Sequence, residues 1–136
     1  MQDTPAADGW KSETAADLAD ATRRIDEVVK VVAGEPTDEQ IHSIWRAYIE
    51  VEKSIAFIRF DLDEENPGRF IRLKSYSVPD ERQALQFALR NLSKGAYSFS
   101  LGDFVQALKE LRESRNYLRA LLRAKRLRRN RRARSG

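Results

Sequence analysis

Arg112, Arg115, Arg119, Arg123 and Arg126 follow one another at steps of 3, 4, 4 and 3 residues. On a helix that spacing makes one ridge. Arg128, Arg129, Arg131, Arg132 and Arg134 continue it as a dense tail, with Lys125 alongside. From residue 119 onward arginine outnumbers lysine eight to one, and no acidic residue follows Glu113. A guanidinium group forks onto phosphate oxygens and stacks on flat rings, whereas an ammonium is a compact point charge. These eleven cations are the candidate binding residues, and the chemistry they offer is the capture of a polyanion.

The net charge of +4 is the product of one end of the chain. The last 18 residues hold nine Lys and Arg, whereas the other 118 hold 16 basic against 21 acidic residues. Such segregation points to nucleic acid, and to RNA before DNA, because Arg-rich helices and tails suit irregular folded RNA. Tyr117 and Tyr76 are the aromatic residues that could stack on bases, although Tyr117 reads equally well as partly buried. Besides a merely solubilising tail with no partner, two other readings stand beside this one. One is a protein partner with an acidic face. The other is pairing with this chain's own N-terminal part, where residues 1–40 carry ten acids against four bases. An anionic membrane surface is disfavoured, because few bulky apolar anchors follow Leu127.

Catalytic constellations are absent from the sequence. There is no cysteine, which excludes disulfides, thiol nucleophiles and Cys-based metal sites. His42 is the only histidine, and it reads as a structural or surface residue. No Gly-rich phosphate loop or nucleophile elbow appears. Asp61-Leu-Asp63-Glu64-Glu65 is a local acidic cluster without the spacing of an EF-hand loop, and reads as a solvated helix end. The expectation is a non-enzymatic protein with no cofactor and no metal. The N-terminus lacks the basic start and apolar stretch of a secretory signal. The longest uncharged interior run, residues 95–102, is far short of the ~20 residues of a membrane helix. A cytoplasmic protein without a membrane span is expected.

The residues that could bind must be positioned by helices. Hydrophobic residues make up 41% and charged residues 34% of 136, which suits one soluble helical domain. Residues 1–11 read as a disordered N-terminus in which Trp10 is unusual. A first helix is expected from Ser12 or Thr14 to Ala33, with Thr14-x-x-Asp17 as a capping box and Gly34 and Pro36 as its stop. The second opens on the capping box Thr37-Asp-Glu-Gln40. Its apolar residues Ile41, Ile44, Tyr48, Val51, Ile55, Ile58 and Leu62 fall at steps of 3 and 4, a heptad seam. Trp45, Ile49, Ala56 and Phe60 broaden that seam, which predicts packing against more than one neighbour. Asn66-Pro67-Gly68 ends it, and residues 69–78 read as an ordered crossover loop rather than a short edge strand. A third helix opens near Pro79-Asp80, and Gly102 and Asp103 punctuate the start of a fourth. The seam of that helix ends at Leu122, beyond which it would project as a basic arm, fraying near Asn130.

Leu85-x-Phe-Ala88, Tyr97-x-Phe99-x-x-Gly102-Asp103-Phe104-x-x-Ala107-Leu108 and Leu118-x-Ala120 together resemble a helical hairpin. The Gly-Asp-aromatic-x-x-Ala turn is similar to that of tetratricopeptide hairpins. It also resembles a small archaeal helical family of unknown function, a resemblance that implies a compact helical fold and no activity. No 34-residue period repeats in the chain.

The expectation is thus an all-α, antiparallel four-helix bundle over residues 12–122, after a disordered N-terminus and before a basic C-terminal extension at 123–136. Its expected role is RNA binding, as an accessory of a ribonucleoprotein such as the ribosome. The alternative is a helical protein–protein interaction module with a charged tail, motivated by the broad apolar surface of the second helix.

Overall fold

Thr37 and Gln40 close the start of the second helix reciprocally. The Gln40 amide donates to Thr37 Oγ1 at 3.2 Å, and the Thr37 amide donates to Gln40 Oε1 at 2.9 Å. The computed structural model describes residues 5–62 and 80–135. Four helices are present in it: α1 Pro5–Val31, α2 Asp38–Leu62, α3 Glu81–Ser100 and α4 Phe104–Ser135. Residues 69–78, Asn66-Pro67-Gly68 and Asp63 to Glu65 lie outside the described residues.

The apolar seams pack as their spacing requires. Leu18, Ile25 and Val28 from α1, and Val32 just past its end, are buried with Ile44, Val51, Ile55 and Ile58 from α2. Leu85, Ala88, Leu92 and Phe99 from α3 and Ala107, Leu108, Leu111, Leu118 and Leu121 from α4 complete one core. Burial of such side chains contributes about 1.5–3 kcal/mol each. The α3–α4 turn follows the predicted punctuation. Gly102 adopts φ 79°, a left-handed conformation that glycine tolerates best, and Asp103 Oδ1 accepts from the Gln106 amide. Asp80 caps α3 by accepting from the amides of Arg82 and Gln83.

In cross-section the helices form a square. α1 packs on α2 and α3, and α4 packs on the same two. Ion pairs fix the directions. Lys53 late in α2 meets Glu13 early in α1, Asp38 at the start of α2 meets Arg129 late in α4, and Glu81 at the start of α3 meets Arg128. Neighbours are therefore antiparallel, α2 and α3 run parallel across a diagonal, and Leu62 and Asp80 lie at opposite ends of the bundle. The antiparallel four-helix bundle expected from the sequence is thus present.

Two boundaries differ from expectation. α1 begins at Pro5, so residues 5–11 are its first turns rather than a disordered tail. Trp10 supplies the reason. Its ring lies 6.4 Å from Phe57, 5.9 Å from Phe99 and 5.7 Å from Phe104, closing one end of the bundle with aromatic contacts from four helices. Thr14 is accordingly not a cap. It is buried inside α1, its hydroxyl without a hydrogen-bond partner among the described residues. The second difference is that α4 continues as helix through Ser135 instead of fraying near Asn130.

At Gly95, α3 lies close against Leu111 of α4. A Cβ added there would stand 2.6 Å from Leu111 Cδ2 and 2.8 Å from its Cγ, and Leu111 is fully buried with little room to yield. Overpacking costs about 1–3 kcal/mol, against about 1 kcal/mol gained by replacing a helical glycine. Gly95→Ala is therefore expected to lower unfolding free energy by up to about 2 kcal/mol. Denaturant unfolding of Gly95→Ala, Leu111→Ala and the double variant checks this. The double variant should lose less than the two single losses together, because the clash needs both side chains.

Candidate functional site

The eleven candidate cations do not form one free ridge. α4 turns them toward three surroundings. Arg115 faces α2, where its Nη1 lies 3.1 Å from Glu52 Oε1 and its side chain is mostly covered. Glu52 also accepts from the Tyr48 hydroxyl at 3.2 Å. Burial and the Glu52 charge raise the Tyr48 pKa above its ordinary value, so the phenol remains a donor.

About three turns further on, α4 meets the link between α1 and α2 and the start of α3. Lys125 is buried, with its Nζ 3.3 Å from Glu35 and 3.6 Å from Asp38. Arg128 donates from Nη1 and Nη2 to the two oxygens of Glu81, at 2.8 and 3.2 Å, and from Nε to Glu35. Arg129 Nη2 lies 3.2 Å from Asp38. This clasp corrects the expectation of an arm projecting from residue 123, because residues 125–129 are docked on the bundle. Three acids from distant segments neutralise cations that spacing alone assigned to a partner. The pairing of the basic end with the chain's own acids is thus realised in part.

Arg119, Arg123 and Arg126 have a different setting. They lie on the outer shoulder of α4 on its α2 side, Arg123 and Arg126 exposed and Arg119 half-buried. None has a carboxylate partner among the described residues. Arg112 and Arg131 make interactions within the chain. Arg132 and Arg134 belong to the last turn of α4, and their side chains lie outside the description.

The aromatic expectations also change. Tyr117 turns to the α3 side, its ring 5.5 Å from Phe87, away from the open arginines. Tyr76 lies outside the described residues. The pairing of Glu52 with Arg115 and of Asp38 with Arg129 puts Trp45, expected in a broadened seam, level with the turns of α4 that carry Arg119 and Arg126. Trp45 is 48% exposed and stacks on Tyr48, with centroids 5.7 Å apart and planes at 25°. Ile49, Ala56 and Phe60 are exposed as well. In a square bundle α2 has two neighbours, α1 and α4, and its third face meets solvent. A wide apolar stripe cannot distinguish that face from one more packing surface. His42 and Asp61 are exposed on α2.

The clasp has a pH signature. The Arg129 hydrogen bond, helped by the Lys125 and Arg129 charges, holds the Asp38 carboxyl below its ordinary 3.8. A carboxyl depressed in the folded state stabilises above its unfolded pKa, and that stabilisation is lost as pH falls through the lower folded value. The thermal midpoint of the native chain should therefore exceed that of Asp38→Asn at about pH 5, and the gap should narrow as pH falls below the ordinary carboxylate range. Thermal melts followed by circular dichroism over that fall in pH check it. A gap that widened in acid would contradict the assignment.

Among the described residues no helix is long and apolar enough to cross a membrane. Comparison with known protein families, curated proteins and solved structures finds no match to this chain.

Proposed function

We propose that this helical bundle is a non-enzymatic nucleic-acid-binding protein, acting on RNA before DNA, whose contact surface is the outer shoulder of α4. The observation that carries the reading is the contrast within one helix. Arg115, Lys125, Arg128 and Arg129 are held by carboxylates of the same chain, while Arg119, Arg123 and Arg126 stand in a row without one among the described residues. Seven residues of helix place the ends of that row about 10 Å apart. Guanidinium groups in such a row are suited to successive phosphate oxygens. The interface is narrower than the eleven cations of the basic end, because the clasped residues serve the fold. A role as accessory to a ribonucleoprotein fits a small basic surface on a rigid scaffold.

The experiment is capture from the chain's own cell extract with and without ribonuclease. Nuclease-sensitive material absorbing at 260 nm supports the proposal. A stoichiometric protein that survives nuclease contradicts it and favours the second reading, a helical protein-interaction module. One observation stands behind that alternative: Phe60 is 87% and Ile49 44% exposed on the outer face of α2, and large exposed apolar side chains aligned on one face suit a partner helix.

A further inference from the structure

We infer that the shoulder between α2 and α4 binds unpaired bases, with Trp45 as the stacking platform and Arg119, Arg123 and Arg126 as the phosphate contacts beside it. This deepens the nucleic-acid reading and rests on it. It assigns single-stranded segments, rather than duplex, as the ligand.

The antiparallel register of α2 and α4 brings the parts together. Glu52 lies opposite Arg115 and Asp38 opposite Arg129. Counting inward from these two pairs places Tyr48 opposite Arg119 and Trp45 opposite Leu122. The Arg119 charge does act on the Tyr48 hydroxyl. Trp45 therefore sits between the turns of α4 that carry Arg119 and Arg126, with Arg123 one residue beyond Leu122 and further out.

The platform is built before any ligand arrives. Arg115 holds Glu52, Glu52 accepts from the Tyr48 hydroxyl, and the Tyr48 ring lies against one side of the Trp45 indole. Nearly half of Trp45 remains exposed. A base adding to the stack meets a ring already backed, so little side-chain freedom is lost on binding. Every base has a π face, so such a platform tolerates sequence, and arginines beside it follow the backbone. In a duplex the bases are stacked on one another and do not offer that face. The row of three arginines, without acid partners among the described residues, also selects the occupant, because an apolar partner helix laid on Trp45 would bring its own surface against those charges. On this arrangement Arg115 is a positioning residue rather than a phosphate contact.

The test uses the full chain and three labelled probes: a mixed-sequence RNA strand of about 12 nucleotides, a strand of equal length and charge lacking bases, and an RNA duplex. Fluorescence anisotropy gives the affinities, and quenching of tryptophan emission reports stacking. Base–aromatic stacking predicts that the native protein prefers the base-bearing strand to the abasic one by about 5- to 150-fold. Trp45→Ala should bind both strands like the abasic one, lose the quenching and leave duplex affinity within about twofold. Trp45→Phe should retain most of the preference. Equal affinity of the native protein for the two strands overturns the inference and needs no variant. A preference that survives Trp45→Ala overturns it too. In both cases binding itself leaves the nucleic-acid reading standing. Failure of the native protein to bind any probe at low salt overturns both.

Discussion

Ile55→Ala is expected to lower the unfolding free energy by about 2–5 kcal/mol, the loss that follows when a buried aliphatic side chain is cut back and the surrounding core collapses only in part. Ile55 is 4% exposed. It lies on the α2 seam, in the one core shared by all four helices. Deletion of residues 124–136 should cost less and leave a folded helical bundle. The last large apolar core side chain of α4 is Leu121, and beyond Leu122 what holds α4 down is ionic. The deletion is not neutral, because it removes the Lys125, Arg128 and Arg129 clasp. Partly exposed ion pairs contribute little individually, about 0–1 kcal/mol. Urea unfolding of the native chain and both variants ranks the losses. A deletion as damaging as Ile55→Ala would show that the clasp is part of the stability core.

Changing Arg119, Arg123 and Arg126 together to Gln should weaken nucleic-acid binding across many sequences alike. Phosphate contacts position a ligand and carry little sequence information. Three charges removed should flatten the dependence of log affinity on log salt by up to about 2.7 on duplex and about 2 on single strands. Gln is close to Arg in helix propensity, so the fold is spared. The clasped cations furnish the contrast. Changing Lys125, Arg128 and Arg129 to Gln removes as many charges from the same helix, yet should lower the thermal midpoint more than the salt slope. If both triple variants flattened the slope equally, the division of α4 into clasped and open cations would be wrong.

What was legible in the sequence was what short-range chemistry decides. The heptad steps of α2 found its buried seam, because side-chain direction on a helix depends only on spacing. The Thr37–Gln40 box and the Gly102–Asp103 turn were readable because each partner lies within three residues. Thr14-x-x-Asp17 carried nearly the same local signal and misled, since Trp10 anchors two earlier turns through rings of three other helices. The candidate site failed for the same reason. Arg128 follows Arg119 by nine residues, about two and a half turns, so spacing places the two on opposite sides of one helix. Spacing does not say that Glu81, 47 residues away, waits at one and not at the other. Trp45 was visible only as an apolar residue on a wide stripe. Its exposure follows from which side of α2 the other helices occupy.

Binding of the native chain to structured and single-stranded RNA from about 50 to about 300 mM salt tests the account most directly, because phosphate contacts must weaken as released counterions accumulate. Engagement of Arg119, Arg123 and Arg126 predicts a log–log slope of about −2 on single strands, and steeper if residues past Arg129 join. No measurable binding at the lowest salt, or an affinity that does not change with salt, would contradict it.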